Sequence, residues 1–168
     1  MTRPLWAPWR LEYIAEADRQ EGCVFCIEAA GELGEASLVV ARGTHAFVLL
    51  NKFPYSSGHV MVAPMRHVGE LADLAPDEAA EIHLLTTRAI DALRRAYGSD
   101  AFNVGWNLGQ VAGGSIAAHL HEHVVPRWAG DTNFMPVLAD VKVVPEHLLA
   151  TRDRLREAWP VDERSSAE

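Results

Sequence analysis

The chain has 168 residues, with 15 Lys and Arg against 23 Asp and Glu, a formal charge of −8; 49% of its residues are hydrophobic and 23% charged. That usage is globular and excludes a disordered tail, a collagen-like repeat and a coiled coil. The acidic balance argues against a general nucleic-acid binder, which needs a basic footprint, yet leaves room for a small anionic ligand at a local site.

Residues 1–22 read as an arm, 23–159 as a single domain and 160–168 as a polar tail. Trp6, Trp9, Tyr13 and Ile14 of the arm are too apolar to be left in water and are expected to pack on the body or on a second subunit. Pro and charge stand where an export signal needs an apolar run, and no stretch approaches the roughly 18 apolar residues of a membrane span, so a cytoplasmic location is expected. Residues 23–35 carry Cys23-Val24-Phe25-Cys26 and a glycine-rich turn. Three apolar runs follow, SLVVAR (37–42), HAFVLLN (45–51) and GHVMVAP (58–64), each bounded by turn residues, and read as strands. The spacing of Ile82, Leu85, Ala89, Leu93 and Ala96 predicts a helix over 76–97, opened by Pro76 and closed by Gly98. AFNVGWNLG (101–109) reads as a strand, GQVAGGS (109–115) as a loop, AAHLHEHVVP (117–126) as a strand and 145–159 as a second amphipathic helix. Strands joined by short turns, with one long helix among them, predict an α+β fold with an antiparallel sheet of about five strands rather than a βαβ winding.

The chemistry is concentrated in His119-Leu120-His121-Glu122-His123. On a strand the three imidazoles share one face, about 6.6–6.8 Å apart, while Leu120, Glu122 and Val124 share the other. That spacing does not let three rings share one small ion, and it favours a division of labour. A His-x-His pair is also a common metal half-site, the bland alternative. The preceding Gly113-Gly114-Ser115 offers backbone N–H groups for an anion, although such loops mostly just turn the chain. Arg127 follows the strand and is expected to add positive charge. Cys23 and Cys26 alone could be half a metal site, a redox pair or two buried thiols. Asn51, ending an apolar strand, is as often a turn residue as a ligand contact. His45, His83 and His147 read as surface or capping groups, and Trp106 as core.

HLHEHVVPR, with the glycine loop before it, CVFC, HAFVLLN, PYSSGHVMVAPMRH and FNVGWNLG, resembles the histidine triad (HIT) superfamily of nucleotide hydrolases and transferases. LWAPWRLEY, AGGS and HVVPRWAGDTNF are similar to its branch that acts on diadenosine tetraphosphate as phosphorylase or hydrolase. The resemblance implies a HIT-like fold with His121 as the nucleophile that forms a nucleotidyl-imidazole intermediate. It implies that His123 holds phosphate oxygens and helps the leaving group, and that His59 orients the catalytic ring. Asn51 would hold the ribose, Asn107 the phosphate side, and Gly114 and Ser115 the phosphoryl oxygens. The superfamily usually has Gln at the Ser115 position and an apolar residue at Glu122. Trp128 could stack on adenine. The resemblance also implies a closed, structural Zn²⁺ site made of Cys23, Cys26, His67 and His119, with no metal needed for the chemistry. A homodimer is the common assembly of the family.

Four functions follow. The first is phosphorolysis of diadenosine tetraphosphate to ATP and ADP, with hydrolysis as its variant. The others are hydrolysis of adenosine phosphoramidates, a non-catalytic nucleotide-binding module, and a metal-dependent cupin-type enzyme. The partners expected are a nucleotide and phosphate, with no nucleic acid and no membrane.

Overall fold

The computed structural model describes residues 22–112, 119–131 and 146–160. Strands β1 (Val39–Arg42), β2 (Ala46–Leu50), β3 (Val60–Pro64), β4 (Ala101–Trp106) and β5 (Glu122–Arg127) form one sheet in the order β1-β2-β3-β5-β4, every neighbouring pair antiparallel. Helix α1 (Val24–Ala30) lies on one face, and α2 (Pro76–Tyr97) and α3 (Leu148–Ala158) cover the other. The α+β class and the five strands agree with expectation. Helix α1, which opens at Cys23, was not expected from the glycine-rich turn that follows it.

Period-two alternation sets the two faces. Ala46, Val48 and Leu50 of β2, Val60 and Val62 of β3, and Val124 of β5 point to the helix face and pack on Ile82, Leu85, Ala89, Leu93 and Leu155. Phe47, Leu49 and Ala63 point the other way and pack on Phe25 of α1. The long helix spans the residues its periodicity predicts, with acidic Asp77 and Glu78 in its first turn, Arg94 and Arg95 in its last, and Gly98 left-handed at φ 59°. Helix α3 begins three residues later than expected, with the His147 ring capping the Leu149 N–H at 3.3 Å.

The histidine strand is shorter than the expected 117–126. Its ladder begins at Glu122, because the Leu120 N–H leaves the sheet to donate to the Val68 carbonyl at 2.8 Å. The arm over 1–21, the loop residues Gly113, Gly114 and Ser115, and the tail over 161–168 lie outside the described residues. Among the described residues no helix is long and apolar enough to cross a membrane.

Candidate active site and metal centre

His121 and His123 stand on the α1 face of the sheet, ring centroids 5.0 Å apart and nearly perpendicular. Their environment fixes their protons. His121 Nδ1 is 2.9 Å from the His119 carbonyl, which can only accept, so Nδ1 carries the proton and Nε2 keeps a lone pair. For His123 the chain of reasoning starts one ring away. The Tyr55 backbone N–H can only donate, and it donates to His59 Nδ1 at 3.1 Å. The neutral His59 therefore carries its proton on Nε2 and donates it to His123 Nδ1 at 3.0 Å. Neutral His123 is left with its proton on Nε2. Asn107 Nδ2 lies 3.3 Å from that nitrogen, and because two N–H groups cannot bond, the carboxamide has to turn its oxygen there. Burial favours the neutral rings throughout: it lowers the proton affinity of His121 and, helped by the charge of His121, brings His123 down to about 4. The site thus offers one basic nitrogen beside one N–H donor, in a region with His59 fully buried and His121 only 8% exposed.

A second cluster adjoins it. The ligand atoms of Cys23, Cys26, His67 and His119 all lie within 4.8 Å of one another, positioned to hold a metal ion. Cys23 Sγ and Cys26 Sγ are 3.3 and 3.5 Å from His119 Nδ1, and Cys26 Sγ is 3.3 Å from His67 Nδ1. The opposite nitrogen of His119 donates to the Pro64 carbonyl at 2.9 Å, which leaves Nδ1 free to ligate. Burial lowers the proton affinity of His119, which favours the neutral form a ligand needs. His67 is steadied by its neighbour: Arg66 Nε and Nη2 grip the Glu78 carboxylate at 2.9 and 2.7 Å, and Nη2 also reaches the Asp73 carbonyl at 2.7 Å. Glu78 in turn accepts from the Ala75 N–H at the start of α2.

The sheet register brings most of the predicted residues together. Gly105 pairs with His123 and Trp106 with Glu122, so Asn107, the next residue, arrives beside His123. Asn51 ends β2 on the α1 face, in step with Phe47 and Leu49; its side-chain oxygen accepts from the Phe53 N–H at 2.8 Å, so it also shapes the turn. Glu122 faces α2, where Thr86 Oγ1 donates to it at 2.5 Å. Trp128 follows the far end of β5, and its indole N–H donates to the Tyr97 carbonyl at 3.2 Å. Arg127 donates to Asp131 at 2.5 and 2.9 Å and to Asn103 at 2.8 Å, so its charge is engaged there.

Two residues that the sequence did not single out are part of the site. Phe25 stacks on His121 with centroids 4.7 Å apart, and the Tyr55 ring stacks on His59 at 4.8 Å. The signal for Phe25 was its place between two metal-ligand candidates.

The family model described as the HIT domain matches residues 34–130. The chain belongs to the HIT domain family. This HIT protein is 43% identical over 162 residues to the AP-4-A phosphorylase of Mycobacterium tuberculosis strain H37Rv, covering 92% of this chain and 83% of that one. Among solved structures it resembles a zinc-bound histidine triad family protein from Mycobacterium smegmatis, with a TM-score of 0.67 at 26% identity, covering 88% of this chain and 98% of that one. It also resembles the hypothetical histidine triad nucleotide-binding protein ST2152 from Sulfolobus tokodaii strain 7, with a TM-score of 0.65 at 26% identity and coverages of 81% of this chain and 91% of that one. The HIT chain is therefore a nucleotide-processing enzyme of this family.

Proposed function

We propose that the chain is a diadenosine tetraphosphate phosphorylase. The observation that carries the reading is the lone pair on His121 Nε2, held toward the site by the Nδ1–H bond to the His119 carbonyl. In the first step Nε2 attacks the α-phosphorus, a P–N bond forms, and the P–O bond to the leaving ATP breaks. The His123 Nε2–H stabilises negative charge on that departing side. In the second step an oxygen of inorganic phosphate attacks the same phosphorus, the P–N bond breaks, and ADP leaves with His121 restored. Asn51 would hold the ribose and Asn107 would keep the His123 proton in place. Gly114 and Ser115 would serve the phosphoryl oxygens. The identity to the mycobacterial phosphorylase supports the choice of substrate and of phosphate as acceptor.

The metal is read as Zn²⁺. Tetrahedral Zn–S bonds of about 2.3 Å and Zn–N bonds of about 2.0–2.1 Å make the S···N edge of the tetrahedron about 3.6 Å. The sulfur–nitrogen separations of 3.3–3.5 Å between Cys23, Cys26, His67 and His119 are close to that edge. When bound, the ion cross-links α1 to the segment before β5, and four protein ligands leave it no open position for chemistry. The chain is further read as a homodimer through β4, whose outer edge has no strand beyond it among the described residues and whose Val104 is 45% exposed.

The test is a product assay with diadenosine tetraphosphate, with and without phosphate, resolved by anion-exchange chromatography. ATP plus ADP, dependent on phosphate, is expected. ATP plus AMP regardless of phosphate would make the enzyme a hydrolase. No turnover would redirect the search to phosphoramidates, and then to binding alone. His121→Asn is expected to abolish turnover while nucleotide affinity stays within a few-fold.

A further inference from the structure

Phe25 sits inside the Cys-x-x-Cys segment, with one candidate metal ligand two residues before it and the other next to it. It is 1% exposed, so it is not a surface for substrate. Its ring touches two histidines at once. One is His119, a member of the metal cluster, at 5.1 Å and 38°; the other is His121, at 4.7 Å and 27°. Three contacts bound the His121 ring. The Nδ1–H bond to the His119 carbonyl fixes one edge, His123 stands against another at 73°, and Phe25 covers a face. Without Phe25 the ring could still rock about its one hydrogen bond to the described residues.

Helix α1, which carries Phe25, cannot hold this position by itself. Seven residues are far below the length at which an isolated helix is stable, and Cys23 makes no side-chain cap. What fixes α1 is the sulfur ligands at Cys23 and Cys26, the burial of Phe25 against Leu49 and Ala63, and the grip of Arg42 and Ser37 on Glu28.

We propose that Phe25 is a positioning residue that couples the order of the Cys23/Cys26/His67/His119 cluster to the orientation of the His121 ring, so that the metal centre tunes the nucleophile without touching substrate. The proposal rests on the assignment of His121 as nucleophile. Displacement of a reacting group by about 1 Å is enough to cost about 10²-fold in rate, so a rocking ring has a large kinetic effect and a small structural one.

The test combines Phe25→Leu, which keeps an apolar side chain and removes the ring, with removal of the metal from the wild-type protein by EDTA. Metal content, kcat and KM for diadenosine tetraphosphate, and the ¹⁵N signals of the His121 ring are measured. The variant is expected to keep its metal, hold KM within about twofold and lose at least about tenfold in kcat. Its His121 Nδ1 and Nε2 signals are expected to move toward each other as the fixed tautomer is lost. Stripping the wild type is expected to produce the same change, and stripping the variant to add little to it. A kcat within twofold of wild type would overturn the proposal. So would a raised KM at unchanged kcat, which would mean substrate contact, or His121 signals indifferent to the metal. If the variant loses its metal or fails to fold, the stripped wild type decides. If the wild type turns over no dinucleotide, the reading of function fails while the His121 signals still decide the role of Phe25.

Discussion

A backbone amide on the far side of one ring, His59, decides which nitrogen of His123 carries the proton. Tyr55 N–H, His59 and His123 form a relay in which each acceptor is fixed by a donor that has no choice. His59→Ala removes the middle of the relay and frees the His123 tautomer. The expected outcome is a kcat reduced by about 10²-fold or more, with metal content unchanged, read by steady-state kinetics and metal analysis. His123 also makes stability depend on pH. Its value falls from 6.5 to about 4 on folding, chiefly by burial, so the unfolded chain binds its proton more readily. The contribution is complete above 6.5 and is lost as pH falls from there toward 4. Denaturant titrations of wild type and His123→Asn across that window are expected to show the shallower pH dependence in the variant. The placing of His121 and His123 on one face was legible from parity alone. Phe25 was not legible, because an apolar residue near a metal motif looks like any core residue until its ring contacts are seen.

At the level of the elements, glycine φ values separate two turns that look alike in sequence. Gly58 has φ 78°, and a Cβ there would lie 2.7 Å from Leu93 Cδ2, on a side chain that is itself fully buried. Gly98 has φ 59° with nothing within 4 Å. Gly98→Ala is expected to cost about 1 kcal/mol, the left-handed penalty alone. Gly58→Ala adds a clash to that strain and is expected to cost about 2–4 kcal/mol, and it also disturbs the adjoining His59. Both are read by chemical denaturation. Thr86→Val leaves Glu122 without its donor against α2 and is expected to destabilise by about 1–3 kcal/mol with little change in kcat. The long helix was readable to its ends because periodicity, charge and caps agree over Pro76–Tyr97. Strand β5 was readable in kind but not in extent. The pattern from His119 onward alternates like a strand, yet the Leu120 amide pairs with Val68 and the His119 ring turns to the cysteines, neither of which local sequence encodes.

For the molecule as a whole, the two apolar clusters divide the labour of stability. The larger one lies between the sheet and α2 and α3, independent of the metal cluster, while the smaller one is built around Phe25. Metal removal is therefore expected to open α1 and the segment before β5 first, visible as lost amide protection there while α2 stays protected. Tm is expected to fall by about 5–10 °C, the shift that ~2–3 kcal/mol gives a chain of this size. The sheet is just as uneven at its borders. The carbonyls of Val39 in β1 and of Ser37 just before it are taken by Arg156 at 3.1 and 2.5 Å and by Arg152 at 2.7 Å, both from α3, and Arg152 reaches the Glu35 carbonyl as well at 2.6 Å. Strand β4 has no such cover from the described residues, and if the proposed dimer forms there, Val104→Lys is expected to leave a monomer in light scattering. A sheet sealed at one border and receptive at the other behaves like a monomer unit with a single reactive end. Joined edge to edge in the proposed dimer, two such units would exhaust each other, and strand addition would terminate at the pair instead of propagating into a fibre.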